Sequence, residues 1–280
     1  MTDPATPFAI GRVALTVHDL DAVGAFYERH LGLHRLEADG ERARYGAGGR
    51  PLIELRRDPG ARRRSPREAG LFHTAILLPS RADLAGWTAQ AIAARAPIVG
   101  ASDHGVSEAI YLVDPEGNGV EIYADRPASA WRRTASGLDM PSDPLDLDTL
   151  LADAAPWQGA PDGTVIGHVH LQVGAIPAAE AFYAGLLGLA VTCRYPGGSF
   201  FAADGYHHHL ATNVWNSRGA GPRSYPATGL ADFEIRLDPA RRAEIADRAG
   251  LTADADGLAL RDPWGTEIRL APALTPVNIG

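Results

Sequence analysis

Residues Ile166–Leu189 read IGHVHLQVGAIPAAEAFYAGLLGL, and residues Ile10–Leu33 read IGRVALTVHDLDAVGAFYERHLGL. Laid over one another at a constant offset of 156, without a gap, they are identical at 12 of 24 positions. Self-similarity at that level marks an internal duplication. Each copy opens with apolar alternation, Val13, Leu15 and Val17 in one and Val169, Leu171 and Val173 in the other, which predicts a strand. Val23, Phe26, Tyr27 and Leu31 then recur at helical spacing, as do Ala179, Phe182, Tyr183 and Leu187. Leu-Gly-Leu closes each helix and puts glycine where a left-handed cap is needed.

A second unit follows each of these. Gly70 leads into LFHTAILLP, a helix over Arg81–Arg95 and then YLVDPEGNGVEIYAD. Gly229 leads into LADFEIRLD, a helix over Pro239–Ala249 and then LALRDPWGTEIRLAP. Asp-Pro-Glu-Gly-Asn-Gly and Asp-Pro-Trp-Gly are turn signals between apolar runs, so each unit ends in a hairpin. The reading is α+β: four units of strand, helix and further strands, two per domain. The expected boundaries are 1–126 for the first domain and 163–280 for the second. Residues 127–162, rich in Pro, Asp and Ser, read as a linker with a short helix from Pro144 to Ala154.

Composition narrows the function. A formal charge of −8 over 280 residues argues against nucleic acid or an anionic membrane as partner. The basic residues number 26 and all are arginine. Cys193 is the single cysteine, so an intrachain disulfide is impossible; a small buried strand residue is the expectation. MTDPATPF lacks the basic-then-apolar pattern of a leader, and no apolar run reaches spanning length. A cytoplasmic protein is expected, with a homodimer as the default assembly.

Five of the ten histidines fall between Gly163 and Asn216. Residues two apart in a strand share a face, so His168 and His170 project together, and so do His207 and His209. Imidazoles converging from two strands suit a divalent metal, whereas an exposed polar face is the plainer alternative.

The segments GHVHLQV, AFYAGLLGL, GYHHHLATNVWNSRGAG, SDHGVSEAIYLVDPEGNGVEIYADRP and DPWGTEIRL resemble the vicinal-oxygen-chelate superfamily. That superfamily comprises glyoxalase I, extradiol dioxygenases and bleomycin-resistance proteins, and the likeness is to its two-domain, catechol-2,3-dioxygenase-like branch. It covers the chain from Ile10 to Leu270. It implies four βαβββ units paired into two cup-shaped mixed sheets, with metal ligands from the first and last strand of each unit. On that mapping His168, His209 and Glu267 form the expected triad, with Asp232 as substitute or outer-sphere partner. Asp232 departs from the histidine usual at that strand in extradiol relatives. The resemblance also implies an acid–base role for His208, leaving His170 and His207 to touch substrate. A one-residue register decides which of His207, His208 and His209 faces inward.

The first half offers Arg12, Glu54, His73 and Glu121 at equivalent positions. A guanidinium has no free lone pair, so Arg12 is expected to pair with Glu54 or Glu121 and close a metal-free cup. His73 then reads as a structural histidine, and His104 as a loop or capping residue. The leading function is Fe(II)-dependent cleavage of a catecholic or hydroquinone-type ring by O2, with Mn2+, Ni2+ or Zn2+ as alternative metals. Two others stand beside it, a glyoxalase-like metal-dependent isomerase or lyase and a non-enzymatic protein that binds a small drug.

Overall fold

The computed structural model describes residues 8–251 and 258–273. Unit 1 comprises β1 (Phe8–Val17), α1 (Leu20–Leu31), β2 (His34–Ala38), β3 (Arg42–Ala47) and β4 (Arg50–Arg57). Unit 2 comprises β5 (Gly70–Leu77), α2 (Arg81–Ala93), β6 (Ile98–Asp103), β7 (Ser107–Val113) and β8 (Gly119–Asp125). The segment between the halves carries β9 (Arg133–Thr134), β10 (Gly137–Leu138) and α3 (Leu147–Leu151). Unit 3 comprises β11 (Val165–Gln172), α4 (Ile176–Glu180), β12 (Ala190–Tyr195), β13 (Gly198–Ala202) and β14 (Leu210–Asn213). Unit 4 comprises β15 (Gly229–Leu237), α5 (Pro239–Ala249), β16 (Leu258–Arg261) and β17 (Glu267–Pro272). Its described residues give two strands after the helix where the family resemblance implied three.

Local chemistry accounts for the ends of these elements. Asp19, Ser80 and Asp238 accept from the backbone N–H groups of Ala22, Asp83 and Arg241, capping α1, α2 and α5. Gly32 ends α1 with φ 66°, a conformation that favours glycine. In the second copy Ala175 has no side-chain oxygen to offer, and α4 runs on into π-helical turns over Ala181–Leu186. Asp114 accepts from the N–H groups of Glu116 and Asn118, and Asp262 does the same for Trp264 and Thr266. Those paired contacts build the two Asp-Pro hairpins.

The strands form two large sheets. One runs β16-β17-β15-β1-β4-β3-β2 and the other β12-β13-β14-β11-β5-β8-β7-β6. Unit 1 therefore shares a sheet with unit 4, and unit 2 with unit 3. The expectation that each half closes its own cup is corrected: each half contributes one unit to each sheet. Alternation along a strand is the same for either partner, so the repeat alone cannot distinguish them. In both sheets the first strands meet antiparallel, β1 with β15 and β5 with β11. Each first strand also runs parallel to the last strand of its own unit. A local two-fold arrangement results in each sheet.

A continuous apolar core joins the sheets, with Val13, Leu15 and Ile53 from one packed with Leu71, Val169 and Leu171 from the other. Tyr27 and Leu31 of α1 and Tyr183 and Leu187 beyond α4 enter it from the duplicated helices. Cys193 is buried as expected, beneath Leu138 and Met140. The segment read as a linker is more than a tether. Its backbone pairs Asp143 with Asp103 through hydrogen bonds of 2.9 and 3.0 Å, laying residues 140–142 along the mouth of the second sheet.

Candidate metal centre

The sheet formed by units 2 and 3 brings three ligating side chains together. Ala75 of β5 pairs with His168 of β11 on one side and Glu121 of β8 on the other, while His73 pairs with His170 and Gly119. Because β5 alternates, His73 and Ala75 share the cavity face. At Gly119 an added Cβ would come within 2.1 Å of the Phe72 carbonyl oxygen, so glycine lets β8 lie close beside His73. Ligand atoms of His73, Glu121 and His168 all lie within 4.8 Å of one another, and all three residues are buried. Glu121 Oε2 stands 2.9 Å from His73 Nε2 and 3.3 Å from His168 Nε2.

The donor set fits a divalent cation. His73 Nε2, despite its 2.9 Å approach to the carboxylate, makes no hydrogen bond of acceptable angle, so its in-plane lone-pair direction is aimed elsewhere. His168 Nδ1 is likewise buried without a hydrogen-bond partner. Burial lowers His168 to about 4, against the opposing pull of Glu121. Burial alone would raise the Glu121 carboxyl, but His168 and His73 hold it well below the usual carboxylate range. At neutral pH the site thus offers a carboxylate and an unprotonated His168, the forms that bind metal.

The local two-fold identifies a fourth position. Glu121 lies opposite Ala75, two residues beyond His73 on the first strand of its unit. The matching residue two beyond His168 is His170, and it lies opposite Ala211 of β14. Ala211 is fully buried and offers no ligand atom. Two imidazoles and one carboxylate with an open position describe a facial triad.

The other sheet has different chemistry at the same four places. There Arg12, Glu54, Asp232 and Arg269 stand where the first has His73 or His168, Glu121 or Ala211. Arg12 contacts Asp232 at 3.0 Å and Glu54 at 3.3 Å, and Arg56 bridges the same two carboxylates at 2.6 Å each. The expected closure of a cup by Arg12 and Glu54 is present; Glu121 is in the other sheet and takes no part. Alternating charge fills this cup, and among the described residues no group of ligand atoms converges there on a cation.

The triad expected from the sequence does not assemble. His168 is in the site. His209 precedes β14, stacks on Phe8 and Tyr206 at ring distances of 4.7 and 4.8 Å, and accepts from the Ala203 N–H. Glu267 lies in the other sheet against Arg261 and Arg269, and Asp232 is held there by Arg12 and Arg56. Two errors combine: the units pair 2 with 3, and the last-strand position falls two residues later than His209. His73 and Glu121 already stood at the equivalent first-half positions, and His73 is not the isolated structural histidine it resembled.

A cavity of about 280 Å³ opens over the three ligands. Phe72, Phe200 and Trp215 supply aromatic walls, and Met140 and Ser142 reach in from the inter-half segment. His104 lines it too, against the expectation of a plain loop role. Its Nδ1–H donates to the Pro141 carbonyl at 2.7 Å, so Nε2 accepts from the Tyr111 hydroxyl at 2.6 Å. His170 lines the wall, and its Nε2 accepts from Asn213 Nδ2 at 2.9 Å; the Asn213 Oδ1 is occupied by the Trp215 N–H. His208 also faces the cavity, its ring centroid 4.1 Å from that of His168. Burial, then the neighbouring His168 and His207, pushes His208 well below the ordinary histidine value. His207 is fully buried behind it and does not line the cavity. Among the described residues no helix is long and apolar enough to cross a membrane.

Known proteins resemble this chain in sequence and in fold. The chain is 39% identical over 235 residues to a catechol-2,3-dioxygenase of Bacillus subtilis (strain 168), covering 81% of this chain and 82% of that one. Among solved structures it resembles a putative dioxygenase of Bacillus subtilis, with a TM-score of 0.64, 13% identity, and coverage of 95% and 86%. Glyoxalase I of Zea mays gives 0.56 at 16% identity, covering 95% and 92%, a likeness of fold alone. The sequence profile that matches residues 9–122 and 165–270 spans both halves of the duplication, and with it the chain belongs to the glyoxalase/bleomycin resistance protein/dioxygenase superfamily.

Proposed function

We propose that this protein is an extradiol-type dioxygenase that holds Fe(II) at His73, Glu121 and His168 and opens a catecholic or hydroquinone-type ring with O2. The observation that carries the reading is the three-ligand set with Ala211 at the fourth place, beside a cavity of aromatic size. Its 39% identity to a catechol-2,3-dioxygenase supports the same reading. A four-ligand isomerase site would need a donor where Ala211 stands, and Asp232, the expected fourth ligand in that reading, belongs to the other sheet.

When bound, iron supplies the redox link between ring and O2, and imidazole with carboxylate suits it better than a set of hard oxygens alone. The chain's own residues do the rest. Phe72, Phe200 and Trp215 sandwich a flat ring and exclude water from the reacting face. The Nε2 of His208 is the nitrogen left to face the cavity, where it takes the proton of a substrate hydroxyl and returns it later. His170, held by Asn213, and Tyr111, held by His104, fix the polar edge of the ring.

Anaerobic loading of the full chain with Fe(II), followed by O2 uptake with catechols and hydroquinones, tests the proposal. Stoichiometric uptake with formation of a ring-opened product is expected. An iron-replete protein that consumes no O2 with any of them ends it, and ligand binding without uptake points to sequestration instead.

A further inference from the structure

Behind His208 the chain buries a second polar group that the proposed reaction does not use. His207 Nδ1 lies 2.7 Å from His208 Nδ1, and His207 Nε2 lies 2.8 Å from Asp125 Oδ1. Asp125 sits at the end of β8, on the strand that carries Glu121, and its side chain is 12% exposed where His207 has none. The Tyr206 hydroxyl donates to the same Asp125 oxygen at 3.2 Å and accepts from Tyr123 at 2.9 Å. The rings also touch, with the centroids of Tyr206 and His207 4.0 Å apart at a tilt of 35° and Trp131 edge-on to His207 at 5.2 Å.

We infer that Asp125 and His207 are positioning residues that set the tautomer of His208. A carboxylate accepts, so the hydrogen between His207 and Asp125 belongs to His207 Nε2. A neutral imidazole carries one ring hydrogen, so His207 Nδ1 is a lone pair. The short contact between the two Nδ1 atoms then requires His208 to supply the hydrogen from its own Nδ1. His208 Nε2 is left as a lone pair toward the cavity, the form able to take a proton. When Nε2 gains that proton, the His208 Nδ1–H is already donating to a neutral acceptor, and no rearrangement is needed. Asp125 thus reaches the cavity through two imidazoles without touching substrate.

This inference rests on the acid–base reading of His208, and the test separates the two. The full chain, labelled with ¹⁵N-histidine, is examined with and without diamagnetic Zn2+, and ring-nitrogen shifts with their proton couplings report each tautomer. The shifts are assigned with His207→Asn and His208→Asn. In the wild type His208 is expected as the Nδ1–H form and His207 as the Nε2–H form. In Asp125→Asn the amide can donate to His207 Nε2, which moves the His207 hydrogen to Nδ1 and forces His208 into the Nε2–H form. Turnover of that variant should fall roughly 100-fold in kcat with little change in KM, as for loss of a general base, and Asp125→Glu should restore both tautomer and rate. A wild-type His208 in the Nε2–H form overturns the inference without any variant. So does an Asp125→Asn protein whose rate falls while the His208 tautomer stays put. A switched tautomer with undiminished turnover upholds the relay and removes His208 from the acid–base role.

Discussion

Ala211 stands where the local two-fold of its sheet would place a second Glu121: each lies opposite the residue two beyond a metal-facing histidine. One unit of the pair thus ends in a carboxylate and the other in a methyl group. That asymmetry turns a four-ligand cup into a three-ligand one with room beside it. Ala211→Asp should restore a fourth donor. We expect the variant to keep one divalent metal per chain while O2-dependent turnover drops by at least roughly 100-fold, the scale set by losing a group needed only in the transition state. Metal analysis and O2 uptake on one preparation check it; undiminished turnover with a bound ion would show that the open position is not used.

Removing a ligand should distinguish the assembled site from the one the motif positions suggested. His73→Ala and Glu121→Gln are expected to weaken metal binding by more than ~10-fold, since even outer-sphere losses reach that size. His209→Ala and Glu267→Ala should bind metal as the wild type does, because neither side chain reaches the cavity. Asp232→Ala adds a stability contrast. It takes away one of the two carboxylates shared by Arg12 and Arg56 and leaves Glu54 to both, which costs about 1.5–3 kcal/mol, the scale of a hydrogen bond to a charged group. Its metal content should not change. Retention of metal by the Glu121 variant would remove the proposed centre.

The repeat of Ile10 and Ile166 made the four units legible, because alternation and the 3.6-residue period are properties of local sequence. Hairpin positions followed from Asp114 and Asp262 for the same reason. Which units share a sheet was not legible, since Val169 and Val13 alternate identically whether their strand meets a neighbour from the same half or the other. The site inherited that error: Glu267 lies in the other sheet, and the residue there that pairs as Glu121 does is Arg269, two positions on. His209 and Ala211 are two residues apart, so alternation in the sequence could not choose between them, whereas in the structure His209 precedes β14 and stays out of the cavity. Arg12 was readable from chemistry alone, as a cation where a cation would bind.

Burial of neutral imidazoles gives the fold a defined acid sensitivity. His209 is lowered to about 3, first by burial and then by the charges of His207 and His168. An unfolded histidine titrates near 6.5, so between these values the unfolded chain binds more protons than the folded one. Stability therefore rises with pH across that window, is full above it, and is lost as pH falls from about 6.5 toward 3. Each pH unit inside the window is worth about 1.4 kcal/mol for such a group. His209→Asn keeps an acceptor for the Ala203 N–H but cannot titrate. Urea unfolding of metal-free protein at pH 7 and pH 5 should show a smaller pH difference in the variant than in the wild type. Equal differences would mean that His209 titrates normally in the folded state.

The charge of the cavity limits what it can admit. Among the described residues that line it the sole carboxylate is Glu121, and the polar remainder comprises imidazoles, two tyrosines and two serines. Among the described residues no arginine lines it, and the chain has no lysine. A ring carboxylate would find no cationic side chain there to replace its hydration, and the charge of the proposed Fe(II) would already be met by Glu121 and the two ring oxygens. Burying an unpaired polar group costs at least about 1–3 kcal/mol, and a charge costs more. An unsubstituted or alkyl-substituted catechol carries no such penalty and gains from contact with Phe72, Phe200 and Trp215. The ratio of kcat/KM for catechol over a ring-carboxylated catechol should therefore exceed ~10-fold. Ser142→Arg, placed at the cavity wall, should narrow that ratio by supplying the missing cation. Equal rates for the two substrates in the wild type would mean that the carboxylate stays in solvent, with the ring entering by its other edge.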